Sequence, residues 1–503
     1  MIKVAIIGAG GVGWTRQLAR DILTVPELQD TVFSFTDIDE ARMRVSVEAV
    51  KRLISRHGLK ARVLSTTNRR EALRDADYII NAVRVGGLEA WRKDVEIPLK
   101  YGVDQCIGDT LGPGGIMYGQ RTVPVILDFC RDIREVSRPN ALFLNYVNPM
   151  SIITWAAVKY GGVNVLGLCH GVQHTTRLIA RVLKAELKDL DVLAAGVNHM
   201  TWFLKIRQKG KDVTHELLKA FESCHDVPEL ADEKVRIDLL RRTGYFCTES
   251  SGFCSELTPW YRKRPEALPE WINLNSISHH AGESLGGWRF NMELQEYFSH
   301  ATQAATEEPN IPLEPQFRSF EHASYIIEAL ETDRVYRGCF NVVNNHSISN
   351  LPPDAIVEVP CYVDRGGVHV SHVGELPPLC AAICNAMVAV QRMATDAAAT
   401  GDVTLLKQAM MMDPLTSAVC TTPEIWRMVD ELLVAEAEYL PQYRKAIPQA
   451  KKNIEEHGSL GRHTLWPPTR RKPRTFEEMM KNPEDKFVKE LQKILTGQLT
   501  RAQ

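Results

Sequence analysis

The chain has 503 residues, of which 60 are basic and 62 acidic, for a formal net charge of −2. That balance excludes a protein drawn by its overall charge to nucleic acid or to an anionic membrane surface. A hydrophobic content of 44% with 24% charged residues is that of an ordinary globular chain, long enough to bury a core without staples. The 11 cysteines are odd in number and scattered from Cys106 to Cys420, which is not a disulfide framework. The N-terminal stretch MIKVAIIGAGGVG lacks the basic region and cleavage site of a signal peptide, and no run of about 18 apolar residues is present. A soluble, reduced, cytoplasmic protein is expected.

Strand-like and helix-like patterns alternate over the first two hundred residues. A short apolar run at 3–7 ends in glycines, 14–23 suits a helix, 32–35 is apolar again, and 38–57 is amphipathic. Further apolar runs lie at 78–83, 141–147, 163–169 and 192–197. Continuous apolar runs separated by helical segments predict a parallel sheet covered on both faces, an α/β doubly wound, Rossmann-like lobe. Residues 211–337 read as mostly helical, broken by prolines at 265–269 and 309–315. Alternation returns at 356–363 and 368–373 around Asp364-Arg365-Gly366-Gly367, a hairpin turn. An Ala-rich helix is expected over 377–400. The cluster Arg470-Arg471-Lys472-Pro473-Arg474 reads as a solvated linker before an amphipathic helix at 476–495. The division expected is a nucleotide-binding domain at 1–200, a mixed α+β catalytic and oligomerisation domain at 201–440, and an extension at 441–503.

Four groups of residues are candidates to carry chemistry. Gly8-Ala9-Gly10-Gly11-Val12-Gly13 fits G-x-G-x-x-G between a strand and a helix, where Gly8, Gly10, Gly11 and Gly13 let backbone N–H groups approach a pyrophosphate. Asp37 closes the second strand 24 residues after Gly13, placed to bond ribose hydroxyls and disfavour a 2′-phosphate, hence NAD rather than NADP. Cys169-His170 and Asn198-His199 end successive apolar runs. A thiolate and an imidazole at one sheet edge suit a borderline divalent ion, although a buried free cysteine and a core histidine fit the spacing equally well. Asn148, before Pro149, ends another run at the same edge, either aimed into the cleft or making a turn. Asp109-Thr110-Leu111-Gly112-Pro113-Gly114-Gly115 approaches a ligand or simply turns the chain.

These residues, together with the segments IPLKYGVDQCIGDTLGPGG, LNYVNPM, CHGV, NHM, TESSGFCSELTPW, NLPPDAIVEVPCYVD and MMMDPLTSAV, resemble glycoside hydrolase family 4, the NAD- and divalent-metal-dependent glycosidases. The likeness spans roughly residues 1–440, and Cys-His-Gly-Val is similar to the α-galactosidase and α-galacturonidase branch. It implies Cys169 and His199 as ligands of Mn²⁺ or another divalent metal, Asn148 at the substrate, and His170 as the acid for the leaving oxygen. It implies a tyrosine base, for which Tyr245 and Tyr261 lie in the corresponding region. His174, His279 and His280 are candidates for lining the pocket.

The reaction implied begins with oxidation of the sugar at C3, which acidifies C2, then elimination of the C1 group, addition of water and reduction. Arginines that grip a sugar phosphate in relatives would fall near Trp91 and Phe320, with Arg318 close by, so their loss implies an unphosphorylated substrate. Arg262, Lys263 and Arg264 would pair with a uronate carboxylate or form a solvated turn, and on the former ground a galacturonide is placed slightly ahead of a galactoside. An α-glucuronidase, a plain NAD-dependent hydroxy-acid dehydrogenase and a silent NAD sensor are the alternatives. The resemblance also implies a homodimer or homotetramer, with no nucleic-acid or membrane partner.

Overall fold

The computed structural model describes the whole chain except residues 225, 277, 279, 301–311, 483–484 and 490–503. The strands are β1 (Lys3–Ile7), β2 (Val32–Thr36), β3 (Arg62–Ser65), β4 (Tyr78–Asn81), β5 (Leu142–Asn145), β6 (Asn164–Gly167), β7 (Leu190–Val197), β8 (Met200–Gln208), β9 (Lys211–Asp212), β10 (Phe246–Cys247), β11 (Tyr336–Val343), β12 (Ile356–Asp364) and β13 (Gly367–Val370). The first six are parallel in the order 3-2-1-4-5-6, the doubly wound order that the alternating pattern predicts. Val4, Ala5, Ile6, Ile79, Ile80, Phe143 and Leu144 are buried because helices cover both faces, which is why these strands read as unbroken apolar runs.

Beyond β6 the sheet continues as 11-12-7-8-10, with antiparallel pairing from β6 onward. The expected placement of run 192–197 beside run 163–169 is therefore corrected: β11 and β12, from far along the chain, stand between β6 and β7. What is local is the partner of β7 on its other side. Asn198 and His199 alone join β7 to β8, and a two-residue link permits only a hairpin, whereas a parallel neighbour needs a long crossover. His199 sits at φ 67 in that turn, a conformation favoured in two-residue hairpins and rare for a bulky side chain.

The hairpin expected at 364–367 is present, pairing Asp364 with Gly367. The Ala-rich helix, Pro378–Thr400, turns Cys384, Met387, Val390, Ala394 and Ala397 into the core. The linker reading of the C-terminal basic cluster is overturned. Arg470 is buried, pairs with Glu96 at 2.7 Å and stacks on Trp466, while Arg471 pairs with Glu283 and Arg474 with Glu293. The buried Glu283 and Glu293 and the part-buried Glu96, rather than solvent, take up these charges. Of the helix expected at 476–495, Phe476–Met480 is helical and 490–495 lie outside the described residues. Among the described residues no helix is long and apolar enough to cross a membrane.

Candidate active site

The Gly-rich turn lies at the carboxyl end of β1. Gly8 has φ 88, and a Cβ there would lie 2.8 Å from the Ala82 carbonyl, so only glycine fits the close approach to the strand behind it. The N–H of Gly10 donates to Asp37 Oδ2 at 2.7 Å, which ties the turn to the end of β2. Gly11 caps the helix Val12–Leu23 without a side chain, and a Cβ on Gly13 would meet nothing within 4 Å. The helix N-terminus thus opens onto free space with its first N–H groups uncovered by a cap, a cradle that fits a pyrophosphate.

At the carboxyl end of β6, Cys169 and His170 lead into the helix Gly171–Val182. The β7–β8 turn brings His199 alongside, and the segment after β10 brings Glu249. Cys169 Sγ donates to Glu249 Oε2 at 3.5 Å, and His199 Nε2 lies 3.8 Å from the same oxygen. One ligand atom from each of the three lies within 4.8 Å of the others. Gly171 makes this possible, since a Cβ there would collide with the Glu249 carboxylate.

Burial, with the Glu249 and Glu358 carboxylates, pushes the Cys169 thiol well above its usual range. Burial pushes the His199 ring down, leaving a neutral imidazole with its lone pair free. Burial disfavours the Glu249 anion, but the facing rings of His199, His170, His280 and His174 outweigh it and hold the carboxyl at about 2. A thiol, an imidazole and an ionised carboxylate, crowded together with Glu358 close by, form a donor set that could hold a borderline divalent cation.

His199 is held from behind: its Nδ1 lies 2.6 Å from Thr110 Oγ1, and Thr110 Oγ1 donates to Asp109 Oδ1 at 3.0 Å. Asp109 Oδ2 accepts from Asn148 Nδ2 at 2.9 Å, so Asn148 reaches the cluster through this relay. The loop carrying Asp109 and Thr110 is anchored by the buried Glu256, which accepts N–H bonds from Cys106, Ile107 and Gly108 at 2.7–3.0 Å. Burial raises that carboxyl to about 7 despite those bonds.

His170 Nδ1 lies 3.1 Å from Glu321 Oε1, with 38% of the His170 side chain exposed. Burial opposes its charge, but the Glu321 carboxylate outweighs it and raises the ring to about 9. His174 stands edge-on to His170, and Phe320 stands edge-on to both. His322 Nε2 donates to the Cys169 carbonyl, 3.1 Å away, and its Nδ1 lies 2.8 Å from Tyr336 Oη.

The structure therefore gathers Cys169, His170, His174, His199 and Asn148. It does not gather the two tyrosines. Tyr261 is buried against Trp271 with its hydroxyl donated to Asp238 at 3.0 Å, and burial together with that carboxylate makes the phenol harder to ionise. The Tyr261 base assignment is corrected on that ground. Tyr245 faces His215, in the turn Thr214–Glu216. His280 packs on Phe253, and His279 lies outside the described residues.

The basic run is corrected too. Arg262 is fully buried and committed to Asp104, Ser255 and the Gly282 carbonyl, while Lys263 and Arg264 are exposed. Arg318 pairs with Glu328 and stacks on Tyr325, and Trp91 is buried with its indole N–H on the Ile107 carbonyl. Sequence reasoning missed Glu249, Glu321 and His322 as members of the site, and named Thr110 only as part of a glycine-dense loop. For Glu249 a signal existed, since an ionisable group in Cys-Thr-Glu-Ser-Ser-Gly-Phe-Cys sits in a run otherwise built for burial.

Residues 3–185 match the family model described as Family 4 glycosyl hydrolase, and residues 194–416 match the Family 4 glycosyl hydrolase C-terminal domain. The chain belongs to family 4 of the glycosyl hydrolases. This family 4 chain is 50% identical over 483 residues to a protein named alpha-galactosidase from Rhizobium meliloti (strain 1021), covering 96% of this chain and 98% of the relative. It is 34% identical to an alpha-galactosidase of Bacillus subtilis (strain 168), covering 88% of this chain and all of the relative. Among solved structures it resembles the 6-phospho-beta glucosidase of Thermotoga maritima in the form with manganese, NAD⁺ and glucose-6-phosphate. That likeness has a TM-score of 0.70 and 26% identity over 87% of this chain and 99% of the other. The family 4 hydrolase is thus of mixed α/β, Rossmann-like build, as expected from the strand pattern.

Proposed function

We propose that the chain is an α-galactosidase that hydrolyses unphosphorylated α-galactosides with NAD⁺ and Mn²⁺ or a similar divalent metal. The observation that carries the metal-dependent reading is the convergence of Cys169, His199 and Glu249 beside His170. The galactoside reading is supported by the names of the two relatives above and by what surrounds the site. Phe320 stands edge-on to His170 and His174 with the Arg177 guanidinium over its ring at 3.9 Å, so the residue at this position itself offers no charge to a sugar phosphate. Arg262, which would have favoured a uronate, is spent in the core.

When bound, the dinucleotide supplies reversible oxidation of a sugar hydroxyl and the metal supplies Lewis acidity beside it. The chain's own residues do the rest. Gly8, Gly10, Gly11 and Gly13 with Asp37 hold the dinucleotide; Cys169, His199 and Glu249 hold the metal. Thr110 fixes the His199 ring, and Asn148 and His174 orient the sugar. His170 holds at Nε2 the proton that the departing C1 oxygen takes. Residues 1–200 carry the dinucleotide, 201–440 complete the sugar site, and 441–503 are an extension beyond them.

The test is release of nitrophenol from matched 4-nitrophenyl α-galactoside and α-galacturonide, with NAD⁺, Mn²⁺ and a thiol reductant present. Turnover of the galactoside without net NADH supports the proposal. Turnover of the galacturonide alone overturns the substrate assignment, and NADH accumulating in step with substrate loss makes the protein a dehydrogenase.

A further inference from the structure

We propose that Glu321 is the positioning residue of the acid, fixing the ring of His170 so that Nε2 faces the departing sugar oxygen. The inference rests on the reading of His170 as acid given above. Glu321 is 3% exposed, its Oε1 meets His170 Nδ1 at 3.1 Å, and its Oε2 has no hydrogen-bond partner. A carboxylate buried with one partner is costly, so this site keeps it for that partner.

Its place in the fold makes the point sharper. Glu321 is the N-cap of the helix His322–Thr332, where an acidic side chain ordinarily turns back to accept the helix's own free N–H groups. Here it makes no such bond. The Ala323 N–H is taken instead by the Tyr146 hydroxyl at 2.9 Å, which frees Glu321 to reach across to His170 while the helix N-terminus still favours its charge.

The backbone behind Glu321 is clamped as well. Its N–H donates to Ser319 Oγ at 3.2 Å. Ser319 in turn donates from its N–H, at 3.0 Å, and from its hydroxyl to Asp21, a buried carboxylate on the helix Val12–Leu23. The loop that holds the acid is thereby tied to the helix that opens the Gly-rich turn. A carboxylate only accepts, so it holds the Nδ1–H and favours the doubly protonated ring, whose second N–H, the one the departing oxygen can take, is then at Nε2 facing the cleft. Glutamine both donates and accepts, and no longer favours that state.

The experiment compares Glu321→Gln, Glu321→Asp and wild type on methyl α-galactoside, whose leaving group needs a proton, and 4-nitrophenyl α-galactoside, whose leaving group does not. For Glu321→Gln, kcat/KM on the methyl glycoside is expected to fall on the order of 100-fold while the nitrophenyl glycoside falls less than about fivefold, with part of the loss restored in Glu321→Asp. Equal losses on both substrates mark a merely structural residue and overturn the inference, as does no loss on either. If Glu321→Gln does not fold, the same ratio measured in Glu321→Asp decides the matter. Wild-type protein that turns over neither galactoside overturns the functional reading and this inference together, whereas an active wild type with an unchanged ratio overturns the inference alone.

Discussion

The hydroxyl of Thr110 stands 2.6 Å from Nδ1 of His199, across 89 residues of sequence. It fixes which ring nitrogen turns toward Cys169 and Glu249, as partners behind a metal-binding histidine generally do. Thr110→Val removes that bond at nearly constant shape. It is expected to weaken Mn²⁺ binding roughly 10- to 100-fold. NAD⁺ affinity should stay within about twofold, because the glycine turn is built from other strand ends. Titration of each ligand by calorimetry distinguishes this from general damage, and Thr110→Ser should restore most of the loss.

Glu249 gives the second prediction. With its oxygen 3.5 Å from Cys169 Sγ and 3.8 Å from His199 Nε2, it is either a third metal ligand or the nearest anion to the metal. In both cases Glu249→Gln lowers Mn²⁺ affinity by about tenfold or more, because the amide contributes no charge to the site. Unchanged Mn²⁺ binding in this variant would leave Cys169 and His199 as the protein's whole contribution.

Much of this was legible before the structure, for a physical reason in each case. Strands covered on both faces must be apolar throughout, so the runs at 3–7, 78–83, 141–147 and 163–169 announce a parallel sheet. A glycine that backbone approaches closely admits no other residue, so Gly8, against the Ala82 carbonyl, anchors the turn that the glycine spacing announces. The order of the remaining strands was not legible. β11 and β12 enter the sheet between β6 and β7, and nothing in the run 192–197 encodes a neighbour lying more than 140 residues away. Arg262 and Arg470 misled for a related reason. A basic run reads as solvated until the fold supplies Asp104 or Glu96, and those partners are invisible to local spacing.

The C-terminal clasp yields a stability prediction. Arg470 is 5% exposed and joins Glu96 at 2.7 Å while its guanidinium lies 3.8 Å from the centre of the Trp466 ring. Arg470→Ala leaves Glu96 with Arg92 alone, at 2.9 Å, frees the Leu465 carbonyl and strips the stack on Trp466, at a cost of roughly 1–3 kcal/mol. Thermal melting of the variant should show a clear drop in Tm, whereas Lys472→Ala, in the same basic cluster, should shift it little. Equal, small shifts for both would restore the reading of this cluster as a solvated linker.

Acid stability offers another. Burial disfavours the Asp132 anion, but hydrogen bonds from Arg69 and Arg70 outweigh it and hold the carboxyl below 3.8. A depressed carboxyl contributes stability that is present above its unfolded value and is lost as pH falls through its folded value. Asp132→Asn should therefore be less stable than wild type at neutral pH, and the gap should close as pH falls below about 4. Melting curves from pH 2 to 7 test this, and a gap that stays constant across the range would assign the loss to packing instead.

The Gly-rich turn separates binding from stability. At Gly8 the backbone is left-handed, and a Cβ would lie 2.8 Å from the Ala82 carbonyl, so Gly8→Ala should damage fold and NAD⁺ binding together. Gly13 is different. It lies in the first turn of the helix Val12–Leu23, and its Cβ would meet nothing within 4 Å. In that helix alanine is favoured over glycine by about 0.5–1 kcal/mol, so Gly13→Ala should hold or slightly raise the Tm of the nucleotide-free protein. The same methyl would stand in the space the pyrophosphate needs, and NAD⁺ affinity should fall at least tenfold. A variant that keeps its stability and loses NAD⁺ places the phosphates over this helix. One that keeps both moves the dinucleotide away from Gly13 and would require a different account of how the turn is used.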